Sequence, residues 1–381
     1  MYSKILIRYG ELVLKKKNRK QFIEKLSNNI FKITGSKPEV EFDRMYLNYS
    51  EELMDKLQYV FGISSYSPVV VVENDFEKLK QAALLLVKKT SKTFKIAARR
   101  NYKKFEYKSD QINHLLGAYL LENTALKVDV HSPDQIFYVE VRSKCTYIFS
   151  EYFDGLGGLP TGSSGKGLHL ISGGFDSPVA AYLMMKRGVE LQFLSFLTPP
   201  QTDAKTKEKI LNLVGVLSKF QGQSTLYFAD YSKLMNYISL VSKESYKINL
   251  MRRSFYRIAN QLATQKNLLC ISNGENLGQV ASQTLESLNV ISSVAEKVIL
   301  RPLITYDKNE IINIAKKIQT HDISIIKANE TCELFAPKAP VTRPLLQVAI
   351  SLEEELSLIN SLEMQLLDQG IETLQIKGKY H

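Results

Sequence analysis

Apolar positions recur along this chain with two periods, and the switches between them mark out its parts. Residues 4–9 alternate as a short strand, residues 17–34 carry Phe22, Leu26, Ile30 and Ile33 at helical spacing, residues 39–49 alternate again, and a helix follows at 51–60. That β-α-β-α order predicts a small α+β unit over residues 1–62, with the Ser-rich approach to Pro68 as its exit. From Val69 the pattern restarts as strand 69–72, helix 75–90, strand 93–99, helix 109–123 and strands 127–131, 135–141 and 145–151, a second α/β unit assigned to residues 63–166. Asp154 to Gly165 is dense in Gly and Ser and reads as a flexible or sharply turning linker at the main domain boundary.

Over residues 167–381, strands at 168–171, 190–196, 224–229, 268–272 and 298–300 alternate with helices at 177–187, 203–220, 231–265, 278–286 and 308–318. This alternation predicts a doubly wound parallel sheet, whose ligand lies beyond the C-terminal ends of the strands.

Charge separates the halves. The chain carries a net +11, and residues 1–166 hold 27 basic and 19 acidic side chains against 23 and 20 in residues 167–381. A basic excess favours a polyanionic partner, and it belongs to the N-terminal half. Residues 94–108 interleave six cations with four aromatics, and Arg99, Arg100, Lys103 and Lys104 are the candidate contacts to single-stranded or terminal RNA; a solvated basic strand and turn is the plainer reading. The three cysteines, Cys145, Cys270 and Cys332, form no C-x-x-C pair, so neither a disulfide framework nor a zinc site is expected, and a reducing cytoplasm fits. No uncharged apolar run approaches the length that spans a bilayer, which argues against a membrane partner.

The densest chemistry lies at Ser172-Gly173-Gly174-Phe175-Asp176-Ser177, between a strand and a helix with Pro178 in its first turn. Such a turn aims backbone N–H groups at an anion, two glycines let phosphate oxygens approach, and the helix N-terminus adds partial positive charge. Asp176 would repel phosphate unless a cation such as Mg²⁺ lay between them; its plainer reading is a helix cap. Cys332 lies in a loop-like stretch near Lys338 and Arg343, cations that lower a thiol pKa, whereas Cys270 and Cys145 read as buried small hydrophobes.

The Ser-Gly-Gly-x-Asp-Ser run resembles the PP-loop of ATP pyrophosphatases, which cleave ATP between the α- and β-phosphates and leave AMP on the substrate. Met251-Arg252-Arg253, the run Asn273 to Thr284 and Arg301-Pro302-Leu303-Ile304 are similar to the tRNA 4-thiouridine synthetases, the tRNA sulfurtransferases of the thiamine-biosynthesis type. Upstream, Arg8 to Leu12, Lys15 to Arg19 and Gly157 to Pro160 extend the likeness; Lys16 and Asn276 stand where the family usually has Gly and Ser.

The resemblance implies a ferredoxin-like domain, a THUMP RNA-binding domain and a PP-loop domain without an appended rhodanese domain. It implies ATP on Leu170, Ile171, Ser172, Gly173, Gly174, Ser177, Ser195, Phe196, Arg252, Gly274 and Gln283, with Asp176 holding Mg²⁺ and Lys308 stabilising departing pyrophosphate. Lys15, Lys17 and Arg19 would add tRNA phosphate contacts. ATP would adenylate O4 of uridine 8, and a persulfide on Cys332, charged by a cysteine desulfurase or other donor, would replace that oxygen. A homodimer and a sulfur-carrier protein of thiazole synthesis are implied as well. Another PP-loop tRNA modifier and a non-adenylating tRNA-binding sulfur relay remain alternatives.

Overall fold

Residues 4–57 fold as strand β1 (Lys4–Tyr9), helix α1 (Arg19–Thr34), strands β2 (Glu39–Val40) and β3 (Met45–Asn48) and helix α2 (Glu51–Leu57) in the computed structural model, which describes residues 2–10, 18–280, 283–329, 335, 337 and 339–380. Helix α1 buries Leu26, Ile30 and Ile33, the face its spacing predicts, and stops at Gly35, whose φ of 78° lies in the left-handed region. By contacts the chain divides into two units, Met1–Gly158 and Leu159–His381.

In the first unit, strand β4 (Ile63–Val72) runs straight through Pro68, the expected exit. It pairs with β1 along Ile63–Val69, with β9 (Phe153–Asp154) at Ser65 and Tyr66, and with β8 (Thr146–Phe149) at Val70 to Val72. Pro68 falls between the β9 and β8 stretches, where the ladder is already interrupted and a residue without an N–H is tolerated. The expected linker thus begins inside β9.

With β5 (Thr93–Arg100), β6 (Lys127–Val128) and β7 (Gln135–Val141), the strands form a nine-stranded sheet in the order β2-β3-β1-β4-β8-β7-β5-β6, with β9 on β4. Helices α3 (Phe76–Leu85) and α4 (Ser109–Asn123) close one core with Phe94 and Phe137. Charge joins the two halves of the sheet: Arg142, just after β7, donates to both carboxylate oxygens of Asp43 at 2.8 and 2.9 Å and holds that carboxyl below its usual pKa.

The second unit carries a six-stranded sheet in the order β14-β13-β10-β11-β12-β15. β10 (Lys166–Leu170), β11 (Glu190–Leu197), β12 (Gln223–Asp230), β13 (Cys270–Ser272) and β14 (Val298–Leu300) are parallel, and β15 (Ile371–Lys377) is antiparallel to β12. The strand order reverses at β10, so the ends of β10, β11 and β13 open a crevice there. Helix α5 (Asp176–Lys186), buried on nearly every side, leads out of it.

Several expectations shift. The helix expected at 231–265 divides into α7 (Ser232–Ile238), a 3₁₀ turn at Glu244–Tyr246 and α8 (Lys247–Gln265), while α6 (Ala204–Ser218) matches its pattern. The helix expected at 278–286 starts later, as α9 (Leu285–Ser292), because Thr284 caps it by accepting the Ser287 N–H at 3.1 Å. Helix α10 (Lys308–Lys317) follows its pattern, but α11 (His321–Ser324), α12 (Leu346–Glu355), α13 (Ile359–Gln369) and β15 were not anticipated. No helix among the described residues is long and apolar enough to cross a membrane.

His169 on β10 is fully buried, with Nε2 2.8 Å from the Ser177 carbonyl and Nδ1 2.8 Å from the Ser272 hydroxyl. A carbonyl only accepts, so Nε2 carries the proton and Nδ1 accepts from Ser272. Burial pushes the imidazole pKa down to about 4. The unfolded chain takes up a proton near pH 6.5 that the folded chain refuses until about pH 4, so this residue's contribution is complete above pH 6.5 and decays below it, by about 3 kcal/mol at the lower end. Urea unfolding of wild type and His169→Gln across pH 7 to 4 is expected to show a shallower loss of stability in the variant; equal slopes refute the assignment.

Candidate functional site

The loop between β10 and α5 is tied across its base by Ser177. Its hydroxyl accepts the Ser172 N–H at 2.9 Å and donates to the Ser172 carbonyl at 3.1 Å, with the Ser172 hydroxyl 3.3 Å away. Both serines therefore shape the loop as well as face the cleft. From the far side, Gly274 passes so close to α5 that a Cβ there would lie 2.5 Å from the Ser177 nitrogen and 2.6 Å from the Asp176 carbonyl carbon. Only glycine permits this approach.

A cleft of about 460 Å³ opens over the loop. It takes in Leu170, Ile171, Ser172, Gly173, Asp176 and Ser177, then Ser195 and Phe196 from β11, Arg252 from α8, Gly274, and Gln283. Gly174 is not in its lining; the Gly174 carbonyl accepts from the Ser324 hydroxyl at 3.3 Å. Phe196 is both wall and core: its ring stacks on Phe255 at 3.9 Å, and Tyr231 meets both edge-on. Ile210, Ile248 and Phe255 also line the cleft, and their apolar spacing on helices gives no sign of it in the sequence. Glu275 was missed although it adjoins Gly274 in the singled-out run, the one available signal.

The polar wall is a closed network. Glu275 is 5% exposed, and one carboxylate oxygen pairs with Arg252 while the other accepts from Arg301 Nε at 2.5 Å and from the Tyr256 hydroxyl at 2.9 Å. Asn273 donates to the Tyr256 oxygen at 2.5 Å and accepts the Glu275 N–H at 3.0 Å. Burial pushes the Tyr256 phenol pKa up, so it remains a donor at neutral pH.

Asp176 opens α5, and Lys308, the first residue of α10, places Nζ 3.1 and 3.4 Å from its carboxylate oxygens, while Gln279 donates to it at 3.2 Å. The two residues expected to handle charge are thus in contact, although Lys308 is not in the lining. Among the described residues no three His, Cys, Asp or Glu side chains group to hold a metal. A single carboxylate beside a phosphate loop suits Mg²⁺, which is commonly held by one or two carboxylates and substrate phosphates.

Cys332, Lys15 and Lys17 lie outside the described residues. Cys270 is buried in β13, and burial pushes its thiol pKa up, as expected for a packing residue. Cys145 sits just before β8 rather than on a strand, and is half-buried. In the basic segment Arg99, Lys103 and Lys104 are exposed, whereas Arg100 is half-buried and donates to the Phe105 carbonyl at 3.4 Å. The expected base-stacking rings are otherwise engaged: Phe94 and Phe105 are in the core, and Tyr102 and Tyr107 pack against it. Strand alternation turns Phe94 inward, and the turn that follows β5 returns Phe105 to the same core. Arg19 lies 4.2 Å over the Phe42 ring and bonds the Phe42 carbonyl.

Comparison with known proteins places these features in one family. Residues 162–358 match the family described as "Thiamine biosynthesis protein (ThiI)", residues 4–67 its ferredoxin-like domain and residues 73–151 the THUMP domain. A probable tRNA sulfurtransferase of Mycoplasmopsis agalactiae is 61% identical over 99% of this chain and 100% of its own, and one of Geobacillus thermodenitrificans is 42% identical over 95% and 93%. The crystal structure of a 4-thiouridine synthetase–RNA complex with bound ATP superposes with a TM-score of 0.94 at 37% identity, covering 99% of this chain and 100% of that one. With its ferredoxin-like, THUMP and parallel-sheet PP-loop domains, the chain belongs to the ThiI family of tRNA sulfurtransferases.

Proposed function

We propose that the protein is an ATP-dependent tRNA uracil 4-sulfurtransferase that converts uridine 8 to 4-thiouridine. The observation that carries this reading is the cleft at the switch point, where the PP-loop, Arg252 and Gly274 meet around a volume suited to a nucleotide. ATP lies with its base toward Ser195 and Phe196 and its phosphates toward the loop and Arg252. The uridine O4 attacks the α-phosphorus, the α–β bridge breaks and pyrophosphate leaves. Asp176 would hold Mg²⁺ on the phosphates, where the ion supplies charge neutralisation for the leaving group. Lys308, already paired with Asp176, contributes a second positive charge there.

Adenylation makes the former carbonyl oxygen a leaving group. The terminal sulfur of a Cys332 persulfide then bonds to C4, AMP departs with the oxygen, and a second thiol attacks the S–S link, releasing 4-thiouridine and leaving a disulfide. A thiol reductant returns that disulfide to two thiols, and a cysteine desulfurase or similar donor in the cytoplasm then recharges Cys332. The exposed Arg99, Lys103 and Lys104, with Lys15, Lys17 and Arg19, contact tRNA phosphates, positioning the RNA without reading its sequence. A homodimer and sulfur delivery for thiazole synthesis through a carrier protein are consistent with the family.

Mass spectrometry of tRNA incubated with the protein, ATP, Mg²⁺ and a persulfide source is expected to show one oxygen replaced by sulfur; unaltered tRNA with active donor refutes the reading. Cys332→Ser is expected to retain tRNA-dependent pyrophosphate release and to form no thiolated product. Gly274→Ala, whose methyl would overlap the backbone of α5, is expected to lower pyrophosphate release by roughly a hundredfold or more, because misplacing a phosphate site by about 1 Å is that costly. Replacing Lys103 and Lys104 by Ala should weaken tRNA binding at low salt and flatten the plot of log affinity against log salt by roughly 1 to 2, measured by filter binding.

A further inference from the structure

Glu275 and Arg301 have no part in the reaction as just described, yet they complete the polar wall. Arg252, Tyr256, Asn273 and Glu275 line the cleft, whereas Arg301 reaches Glu275 from the residue after β14, outside the lining. The guanidinium of Arg301 is fixed on its other side by the Ser292 hydroxyl, 2.7 Å from Nη2. The side chains of Arg252 and Arg301 are 15% and 16% exposed and that of Glu275 is 6% exposed, so the cluster is largely desolvated. In such surroundings a carboxylate that loses its partner is costly, because its charge is left uncompensated.

This bears on Arg252. A phosphate that draws its guanidinium away from Glu275 would strand the carboxylate if that pairing stood alone. It does not stand alone: Arg301 and Tyr256 hold the second oxygen. Two guanidinium groups on one carboxylate also leave a positive charge to face the triphosphate.

We propose that Glu275 and Arg301 are positioning residues for ATP: Glu275 holds Arg252 against the cleft wall before the nucleotide arrives, and Arg301 keeps Glu275 paired and in place when Arg252 turns to the phosphates. Neither touches a reacting atom. The inference rests on the ATP reading of this cleft.

The test measures KM for ATP and kcat in tRNA-dependent pyrophosphate release, with direct ATP titration and thermal melting, for Arg301→Met, Glu275→Gln, the double variant and Arg301→Lys. In Arg301→Met the Tyr256 hydroxyl still bonds Glu275, but Arg252 is the one arginine left to balance its charge, so the carboxylate competes with ATP for that arginine and KM should rise about tenfold while kcat stays within about threefold. Adding Glu275→Gln removes the carboxylate that needs a counter-charge, so the double variant should return to within about threefold of the KM of Glu275→Gln alone. Arg301→Lys, which retains the charge but not the fork that joins Glu275 to Ser292, should give a KM between those of wild type and Arg301→Met and serves if the Met variant fails to fold.

A brace for the fold gives another pattern: a lower melting temperature and active fraction, an unchanged KM, and no recovery in the double variant. That pattern, or an Arg301→Lys KM as high as that of Arg301→Met, overturns the proposal. Failure of the unaltered protein to bind ATP overturns the proposed function and this inference together; normal binding with KM indifferent to Arg301 overturns this inference alone.

Discussion

The backbone of Gly274 lies against the first turn of α5 with no room for a methyl group, and the cleft is arranged around that contact. It draws the segment after β13 onto the PP-loop, so that Asn273 and Glu275 face the same space as Ser177. From beneath, His169 repeats the connection by bonding both Ser177 and Ser272, which ties the ends of β10 and β13 to the start of α5. Helix N–H groups and strand-end backbone thus converge through contacts made within the protein itself. Such preorganisation lowers what binding must supply in ordering.

The cations of this site do not wait as free charges. Arg252 is held by Glu275 and Lys308 by Asp176, one pair largely buried and one more open. An exposed pair contributes on the order of 1 kcal/mol or less, so exchanging Lys308 from Asp176 onto a phosphate has a small penalty. The buried pair is different, and its second arginine is the structural answer to that difference. The N-terminal half handles charge the opposite way, with Arg99, Lys103 and Lys104 standing in solvent, as suits a polyanion met over a broad surface.

Much of this was legible because it rests on local rules. The strand, Gly-Gly turn and helix at 166–186 declare themselves by alternation and by Pro178, and Ser195, Arg252 and Gln283, singled out by the family likeness, lie in the lining of one cleft. What escaped depends on tertiary context. β15 carries a mixed pattern because it is an edge strand with one flank in solvent. The aromatics of 94–108 looked like a stacking surface, since a sequence does not tell which way a turn folds its rings, and packing took them instead. Glu275 is a buried carboxylate whose arginine partners lie 23 and 26 residues away, beyond the reach of local spacing.

Strand β4 has a consequence for how such proteins can be rearranged. Its first seven residues complete the ladder of β1 and its last three that of β8, so the two RNA-side domains own one strand in common. A cut between them that gives β4 to one partner leaves the other with a bare row of backbone donors and acceptors, the kind of edge that recruits foreign strands. Shuffling of these modules between enzymes is therefore constrained to move both at once or to supply a replacement strand. On the RNA side the two domains are joined by ten residues that belong wholly to neither.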